Sequence, residues 1–176
     1  GNVIAVYYAQ GDIVQQPSQT NFTGAPEIAS DKVATDLRTL RDDESVKAVV
    51  LRVNSGGGSA YASEQIWNEV VKLKEKKPVI VSMGDMAASG GYYISCAADA
   101  IVAEPTTLTG SIGIFGMFPC AEGLIQDKLK LHIDGVKTNA LSDMGSLFRG
   151  MNPEEAAKMQ QMIEHGYQTF ITRCAD

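Results

Sequence analysis

Nearly continuous apolar runs mark the predicted strands of this chain. Residues 3–8 (Val-Ile-Ala-Val-Tyr-Tyr), 46–53 (Val-Lys-Ala-Val-Val-Leu-Arg-Val), 79–83 and 100–103 are short, are mostly rich in β-branched side chains and are bounded by turn residues. Because polar positions scarcely interrupt residues 46–53, we predict that this strand pairs in parallel and is covered on both faces.

Helical spacing appears between these runs. Apolar residues recur at one helix face after Asp31, which predicts a helix that is N-capped by Asp31 and runs to about Arg41. Further helices are predicted over residues 63–77, over residues 92–98, and from the N-cap Asn152 onward with Pro153 in its first position. Polar loops are predicted at residues 15–23 and 138–150. The repeated order of strand, loop, helix and strand indicates an α/β fold with right-handed crossovers.

Composition narrows the class of protein. With 176 residues and 44% hydrophobic content, residues 1–176 are predicted to form a single domain. A net charge of −6 argues against a nucleic-acid partner, and no apolar run approaches the length that crosses a bilayer. Cys96, Cys120 and Cys174 have no metal-binding spacing, so we expect buried free thiols, with neither a metal nor a cofactor. The absence of a leader and the abrupt end suggest a piece of a longer protein.

Two glycine-rich loops after predicted strands have the composition for acyl transfer. Residues 56–58 are Gly-Gly-Gly, and Ser89 lies between two alanines and two glycines at a predicted strand-to-helix turn. Glycine loops allow backbone amides to approach a developing oxyanion, and the amides of Gly58 and Gly90 are the candidate donors. The alternative interpretation is that these small residues only permit close packing of helix on strand.

A nucleophilic serine needs a base. His132, in a predicted short strand at residues 131–133, and His165, on the last helix, are interpreted as structural or surface residues. A Ser-Lys dyad is the natural alternative to a Ser-His-Asp triad, yet no lysine stands out as buried.

Three segments in fixed order carry a family resemblance. Residues 51–59 (Leu-Arg-Val-Asn-Ser-Gly-Gly-Gly-Ser), 86–94 (Met-Ala-Ala-Ser-Gly-Gly-Tyr-Tyr-Ile) and 108–113 (Leu-Thr-Gly-Ser-Ile-Gly) closely resemble the signal peptide peptidase A (protease IV) family. This family belongs to the Clp protease and crotonase superfamily. The resemblance implies a Clp/crotonase-like spiral of ββα units and membership of the serine peptidases.

The resemblance also implies residue roles. It makes Ser89 the nucleophile, the amides of Gly58 and Gly90 the oxyanion hole, and Ser111 the hydroxyl that positions the base. The family base is a lysine, which in short single-domain members lies in the loop ahead of the last helix, but Ser142 occupies that slot here. Long-form members consist of two related halves, so the resemblance implies that this chain is the C-terminal half and that the N-terminal half supplies the lysine.

A fallback base and a second departure from the family pattern remain. Lys137, five residues from the slot, is the fallback base within this chain. Gly56 stands where the family usually has proline, which is expected to loosen the loop but to leave the Gly58 amide available.

The function implied by the resemblance is an endopeptidase that cleaves hydrophobic peptides such as remnant signal peptides. The implied location is the extracytoplasmic side of the bacterial inner membrane, with an anchoring segment outside this chain and a homo-oligomeric assembly. The expected apolar groove has these candidate lining residues: Met83, Met86, Phe115, Met117 and Phe118. The alternatives are a non-catalytic assembly domain, a crotonase-like acyl enzyme, and a Clp-type protease, whose histidine would stand where Ile114 does.

Overall fold

Strands and helices alternate in the computed structural model, which describes residues 1–18 and 24–175. The strands are β1 (Val3–Gln10), β2 (Asp12–Val14), β3 (Glu27–Ala29), β4 (Val46–Ser55), β5 (Val79–Ala88), β6 (Ala100–Val102) and β7 (Leu108–Gly110). The helices are α1 (Ser30–Asp42), α2 (Ala60–Lys74), α3 (Gly90–Tyr93) and α4 (Pro153–Ala175), with a π-helix at Gly123–Lys128. The predicted loop at residues 15–23 lies partly outside the described residues.

The main sheet is parallel throughout. Its strand order is β1-β4-β5-β6, and β7 pairs with the C-terminal part of β5. β2 and β3 form a separate parallel pair. Parallel strands joined by helices are the expected result of the strand and helix alternation in the sequence, and the α/β prediction is confirmed.

Several predicted boundaries are wrong. The N-cap of α1 is Ala29, and Asp31 lies inside the first turn. α2 begins at Ala60, three residues before the predicted start, because the Ser59 hydroxyl accepts a hydrogen bond from the Ala62 amide at 3.2 Å and caps the helix. β5 continues to Ala88 instead of ending at residue 83, and α3 has only four residues in place of the predicted helix at 92–98.

The core lies on one face of the main sheet. Alternate residues of β4, including Val49, Leu51 and Val53, are buried in one cluster with residues of α1 and α2 such as Leu37 and Ile66. The prediction that both faces of β4 are covered is wrong, because residues of β1 and β6 on the other face of the sheet are exposed. They include Ile4 (67% exposed), Val6 (52%), Tyr8 (73%) and Val102 (57%).

The residues group into two compact units. Residues Gly1–Gly113 with Tyr167–Asp176 form the first, here named the sheet unit, and Ile114–Gly166 form the second, the 114–166 unit. The prediction that residues 1–176 are a single domain, the C-terminal catalytic half of a longer protein, stays a prediction.

The 114–166 unit contains mainly turns and the capped N-terminal part of α4. Residues 138–150 form turns without regular structure, as predicted, whereas residues 131–133 around His132 are not a strand. The predicted start of α4 is confirmed. The Asn152 side chain accepts from the Glu155 amide at 2.9 Å, and the Glu155 carboxylate accepts from the Asn152 amide at 2.9 Å, which is a reciprocal capping box.

The cysteines are free among the described residues. Cys96 and Cys174 are half-buried, but Cys120 is exposed, so the expectation of a buried thiol is wrong there. Within residues 1–18 and 24–175, no helix combines the length and apolarity needed to cross a membrane.

Candidate active site

Ser89 lies at the turn between β5 and α3. β5 ends at Ala88 and α3 begins at Gly90, so Ser89 alone separates the strand from the helix. Its backbone has φ 51° and ψ −120°, a combination that costs a non-glycine residue about 1–3 kcal/mol. A sharp, strained turn of this kind presents a serine oxygen at the top of a sheet, as in nucleophile elbows. The Ser89 side chain makes no capping hydrogen bond, which leaves its hydroxyl available for chemistry.

The glycine loop 56–58 packs against this turn. Gly57 has φ +101°, and a Cβ atom there would lie 2.6 Å from the Gly90 nitrogen and 2.9 Å from the Ser89 Cβ. Gly58 has φ +150°, and a Cβ there would lie 2.2 Å from the Ile13 carbonyl oxygen. A side chain at either position would therefore force the loop away from the serine or from β2.

The two candidate oxyanion donors belong to this contact. The Gly90 amide is the first of α3, where helix geometry provides no intrahelical acceptor. Gly58 pairs with Ile13 in an isolated parallel β-bridge. In this bridge the neighbouring Ser59 amide, and not the Gly58 amide, donates to the Ile13 carbonyl oxygen at 2.8 Å. Neither the Gly58 amide nor the Gly90 amide has an acceptor among residues 1–18 and 24–175. Both can therefore donate to a bound oxygen.

β7 brings Ser111 beside Ser89. Gly110 at the end of β7 is in register with Ala88 at the end of β5, and the Ser89 amide donates to the Gly110 carbonyl oxygen at 2.9 Å. Ser89 and Ser111 thus directly follow Ala88 and Gly110, which pair with each other, and both serines have φ 51°. The structure brings together all four predicted site residues, since the loop of Gly58 contacts the Ser89–Gly90 turn.

Side chains behind the turn anchor α3. The Tyr93 hydroxyl donates to one Glu64 carboxylate oxygen, and the other accepts from Arg173 at 2.7 Å. Burial, followed by the hydrogen bond to Glu64, raises the pKa of Tyr93. The Arg173 guanidinium lies 4.0 Å from the centroid of the Trp67 ring, and the Phe170 ring packs 4.6 Å from that of Tyr93. These contacts fix the helix on which the serine turn depends.

Two residues that share in this geometry received no role from sequence reasoning. The Asn54 side-chain oxygen accepts from the Met86 amide at 3.0 Å and joins the ends of β4 and β5. The Thr109 hydroxyl donates to the Ala87 carbonyl oxygen at 2.8 Å and joins β7 to β5. Both stand at the C-terminal ends of strands within the three family motifs, and this polar position at a strand end was the available signal.

The histidines and lysines offer no evident base. His132 and His165 are exposed side chains of the 114–166 unit. None of the six lysines of the sheet unit, all of which the structure describes, is buried. Four of them lie at or near the N-terminal edge of the sheet, opposite the edge that carries Ser89: Lys47, Lys74, Lys76 and Lys77. Lys32 and Lys72 form ion pairs on their own helices.

The fallback base, Lys137, is engaged within the 114–166 unit. Its ammonium nitrogen lies 2.9 Å from a carboxylate oxygen of Asp143, which also accepts from Arg149 at 2.6 Å. Hydrogen bonds from Arg149 and Lys137 hold the pKa of Asp143 well below its usual range. Ser142, in the slot of the family lysine, is exposed, and its hydroxyl donates to the Asn139 carbonyl oxygen at 3.1 Å.

The candidate groove residues divide between the two units. In the sheet unit, Met83 is 2% exposed and belongs to the core, whereas Met86 is 36% exposed beside the serine turn. In the 114–166 unit, Phe115, Met117 and Phe118 are 88%, 82% and 43% exposed. Met83 is thus excluded as a lining residue because it is buried.

Comparison with known proteins places these features in a family. A model described as Peptidase family S49 matches residues 71–176, and one described as Clp protease matches residues 22–107. A solved structure of a variant of the 1510-N membrane-bound stomatin-specific protease aligns with a TM-score of 0.50 and 21% identity, over 68% of this chain and 51% of that chain. At this identity the likeness shows the fold alone, and it confirms the predicted Clp-like α/β architecture.

Curated relatives share more of the sequence. Protease 4 of Salmonella typhi is 47% identical over 100% of this chain and 28% of its own length. Protease 4 of Haemophilus influenzae is 48% identical over 97% of this chain and 27% of its own length. The chloroplastic Serine protease SPPA of Arabidopsis thaliana is 37% identical over 98% of this chain and 25% of its own length.

The chain therefore spans about a quarter of the length of these curated relatives. The Peptidase family S49 model covers residues 71–176, which is more than half of the chain and includes the Ser89 turn and Ser111. The recognised resemblance is confirmed: the chain belongs to peptidase family S49.

Proposed function

We propose that this chain is the nucleophile-bearing part of a serine endopeptidase, with Ser89 as the nucleophile. The observation that carries the proposal is the strained Ser89 turn, at φ 51° and ψ −120°. The Ser89 hydroxyl makes no helix-capping hydrogen bond, and the Gly57–Gly58 loop packs against the turn. Backbone strain of about 1–3 kcal/mol persists where surrounding structure imposes it, and such sites are concentrated where chemistry occurs.

The proposed reaction begins with attack of the Ser89 Oγ on a peptide carbonyl carbon. The oxygen that becomes negative accepts from the amides of Gly58 and Gly90, which have no other acceptor among the described residues. Collapse of the tetrahedral intermediate breaks the C–N bond, releases the amine product and leaves an acyl-serine. A water molecule then attacks the acyl carbon and restores the hydroxyl.

The base is proposed to be a lysine from outside this chain, in the N-terminal half of the same protein. It takes the Ser89 proton and returns it to the leaving amine, while the Ser111 hydroxyl positions it. Support comes from Ser142 in the family lysine slot, the ion pair of Lys137 with Asp143, and the lack of a buried lysine in the described sheet unit. By this proposal the chain alone is inactive.

The proposed substrates are hydrophobic peptides such as remnant signal peptides. A relative from Enterococcus faecium that is 33% identical over 90% of this chain is named Putative signal peptide peptidase SppA. The exposed Met86 beside the serine turn provides adaptable apolar surface in the sheet unit. We further propose that the whole protein acts as a homo-oligomer on the extracytoplasmic side of the bacterial inner membrane, anchored by a segment beyond this chain.

Hydrolysis of a hydrophobic fluorogenic peptide tests the proposal. The chain is assayed alone and mixed with the N-terminal half of its parent protein, and the expected result is turnover only in the mixture. Ser89→Ala is expected to remove at least about 10³-fold of that turnover, with no change in thermal unfolding.

Ser142→Ala is the matched control, because it removes another hydroxyl without touching the Ser89 turn. Retained turnover in Ser89→Ala would eliminate Ser89 as the nucleophile. Serine-dependent turnover by the chain alone would instead place the base within it and would contradict the base supplied by another half.

A further inference from the structure

Two thiols meet behind the serine turn, on the far side of α3. Cys96 lies in the turn that follows α3, and Cys174 lies in the last turn of α4, 78 positions later (174 − 96). The Cys96 sulfur is 3.1 Å from the Tyr93 carbonyl oxygen and 3.4 Å from the Arg173 carbonyl oxygen. The Arg173 carbonyl belongs to the peptide bond that leads into Cys174, so the Cys96 sulfur lies beside the backbone of Cys174. Folding therefore brings two cysteines that are distant in sequence close together.

Cys96 borders an open cavity of about 520 Å³ in the sheet unit. Its lining includes Cys96 with Trp67, Lys74, Asp99 and Arg173. Both thiols are half-buried and neither is enclosed in the apolar core. A small disulfide compound can therefore reach this side of the protein through the cavity.

The third cysteine has none of these features. Cys120 is exposed and belongs to the 114–166 unit, whereas Cys96 and Cys174 both belong to the sheet unit. Reactivity that followed exposure alone would select Cys120. Reactivity that followed proximity would select the other two cysteines, so the chain contains its own control.

We infer that Cys96 and Cys174 form a reversible redox site, which a low-molecular-weight disulfide converts from two thiols into an intramolecular disulfide. The Cys174 thiolate attacks one sulfur of the reagent, the S–S bond of the reagent breaks, and one reagent thiol leaves. The Cys96 sulfur then attacks the Cys174 sulfur of the mixed disulfide and releases the second reagent thiol. The two protein thiols lose two electrons and two protons in total, and the reagent disulfide is reduced to two thiols.

The order of attack follows from the surroundings of the two sulfurs. Burial, followed by the neighbouring Cys174, raises the pKa of Cys96 to about 12. Burial also raises the pKa of Cys174, and the neighbouring Cys96 thiol partly offsets this rise. Since the thiolate is the attacking species, Cys174 reacts first and Cys96 resolves the mixed disulfide.

The disulfide would attach the end of α4 to the turn that follows α3. This end already contacts α2 through the Arg173–Glu64 pair and the Arg173–Trp67 stacking, and α4 contacts α3 through the Phe170–Tyr93 ring pair. A covalent link across 78 positions restricts the unfolded chain, and long loops restrict it most. The oxidised protein is therefore expected to unfold at a higher temperature than the reduced protein.

Glutathione disulfide is the probe for this site. The protein that contains residues 1–176 is incubated with glutathione disulfide at pH 8, the remaining thiols are alkylated, and the product is digested without reduction. Mass spectrometry is expected to find a peptide pair that joins Cys96 to Cys174 and is lighter than the two thiol peptides by two hydrogen atoms. In Cys120→Ser the same pair forms, and its formation raises the midpoint of thermal unfolding by about 5–15 °C.

Single replacements separate proximity from general reactivity. Cys96→Ser removes the resolving thiol, so Cys174 is expected to remain as a glutathione mixed disulfide, and the thermal midpoint does not rise. Modification of Cys120 while Cys96 and Cys174 are both recovered alkylated would overturn the proposal. A stable mixed disulfide on Cys174 in the protein with all three cysteines would overturn it as well.

Discussion

The sheet unit and the 114–166 unit are stabilised by different interactions. In the sheet unit, residues of β4, β5, α1 and α2 form one buried apolar cluster. Of residues 114–166, all of which the structure describes, only Glu155 is buried, while Phe115 and Met117 are more than four-fifths exposed. One unit is specified by burial of hydrophobic surface and the other by placement of polar groups.

A polar network takes the place of a core in the 114–166 unit. Arg149 donates to Asp143 at 2.9 Å and to Glu155 at 2.7 Å, Lys137 pairs with Asp143 at 2.9 Å, and Asn152 shares the capping box with Glu155. The stability that such polar groups provide depends on hydrogen-bond geometry and on pH, whereas the stability of an apolar core depends on how completely its volume is filled. The comparison teaches that the two units should respond to different substitutions, and four experiments test this.

The largest expected difference concerns leucines. Leu51→Ala, in the core of the sheet unit, is expected to lower the free energy of unfolding by about 3–4 kcal/mol, because the cavity cannot be refilled. The matched Leu124→Ala, at a residue that is 58% exposed in the 114–166 unit, is expected to change it by less than about 0.5 kcal/mol. Urea unfolding measures both, and equal losses would contradict the comparison.

The next effect concerns the glycine loop of the sheet unit. Gly57→Ala is expected to cost about 2–3 kcal/mol of unfolding free energy, through its positive φ and its contact with the Gly90 nitrogen. It is also expected to abolish the peptidase activity of the reconstituted enzyme. Gly113→Ala is the control, since no atom of the described residues, its two chain neighbours aside, lies within 4 Å of its added Cβ. If the two variants behaved alike in thermal unfolding and in turnover, the close approach of the loop would be disproved.

A smaller effect concerns the capping box. Asn152→Ala removes the side-chain acceptor of the Glu155 amide, and about 1 kcal/mol of unfolding free energy is expected to be lost. Asn68→Ala on the exposed surface of α2 is the control, with an expected change within about 0.5 kcal/mol. Urea unfolding again decides, and a neutral Asn152→Ala would show that the cap does not limit stability.

The smallest effect concerns the pH dependence of stability. Hydrogen bonds from Arg149, then from the Asn152 amide, lower the pKa of Glu155 to about 2 from its ordinary value of 4.5. A carboxyl group with a lowered pKa in the folded state stabilises the protein above its ordinary value and loses this contribution as the pH falls through the folded value. The contribution should therefore be complete above about pH 4.5 and should disappear towards pH 2.

Glu155→Gln is expected to flatten the fall in thermal midpoint across that interval. Glu154→Gln, at the exposed neighbour in the first turn of α4, is expected to leave the fall nearly unchanged. An unaltered pH profile in Glu155→Gln would assign the acid sensitivity to other carboxyl groups, such as Asp143.

Much of the fold was predictable because its signals are local. Strands at residues 46–53 and 79–83 and the helix start at Asn152 follow from apolar runs and from a cap, and the structure confirms them within a few residues. The predicted boundaries were wrong where a contact with other residues decides where a strand ends or a helix begins. β5 extends to Ala88 because β7 pairs with residues 86–88, and the cap of α2 moved to Ser59 because its hydroxyl reaches the Ala62 amide.

The candidate site shows the same division. The glycines and Ser89 were recognisable from composition and motif order, since the sequence itself gives the identity and the position of each residue. The φ of 51° at Ser89, the register of Ala88 with Gly110 and the contact between Gly57 and Gly90 depend on strands that are distant in sequence. No local pattern encodes such contacts.

The sequence by itself determined the class of fold, the family and the identities of the candidate residues, because periodicity, glycine placement and motif order are properties of the chain. Tertiary structure alone decided that Ser89 and Ser111 lie side by side, that one face of the main sheet is left exposed, and that the Cys96 sulfur lies beside the Arg173 carbonyl oxygen. The physical reason is that strand pairing and helix packing join residues tens of positions apart, and their energies depend on three-dimensional fit instead of local preference.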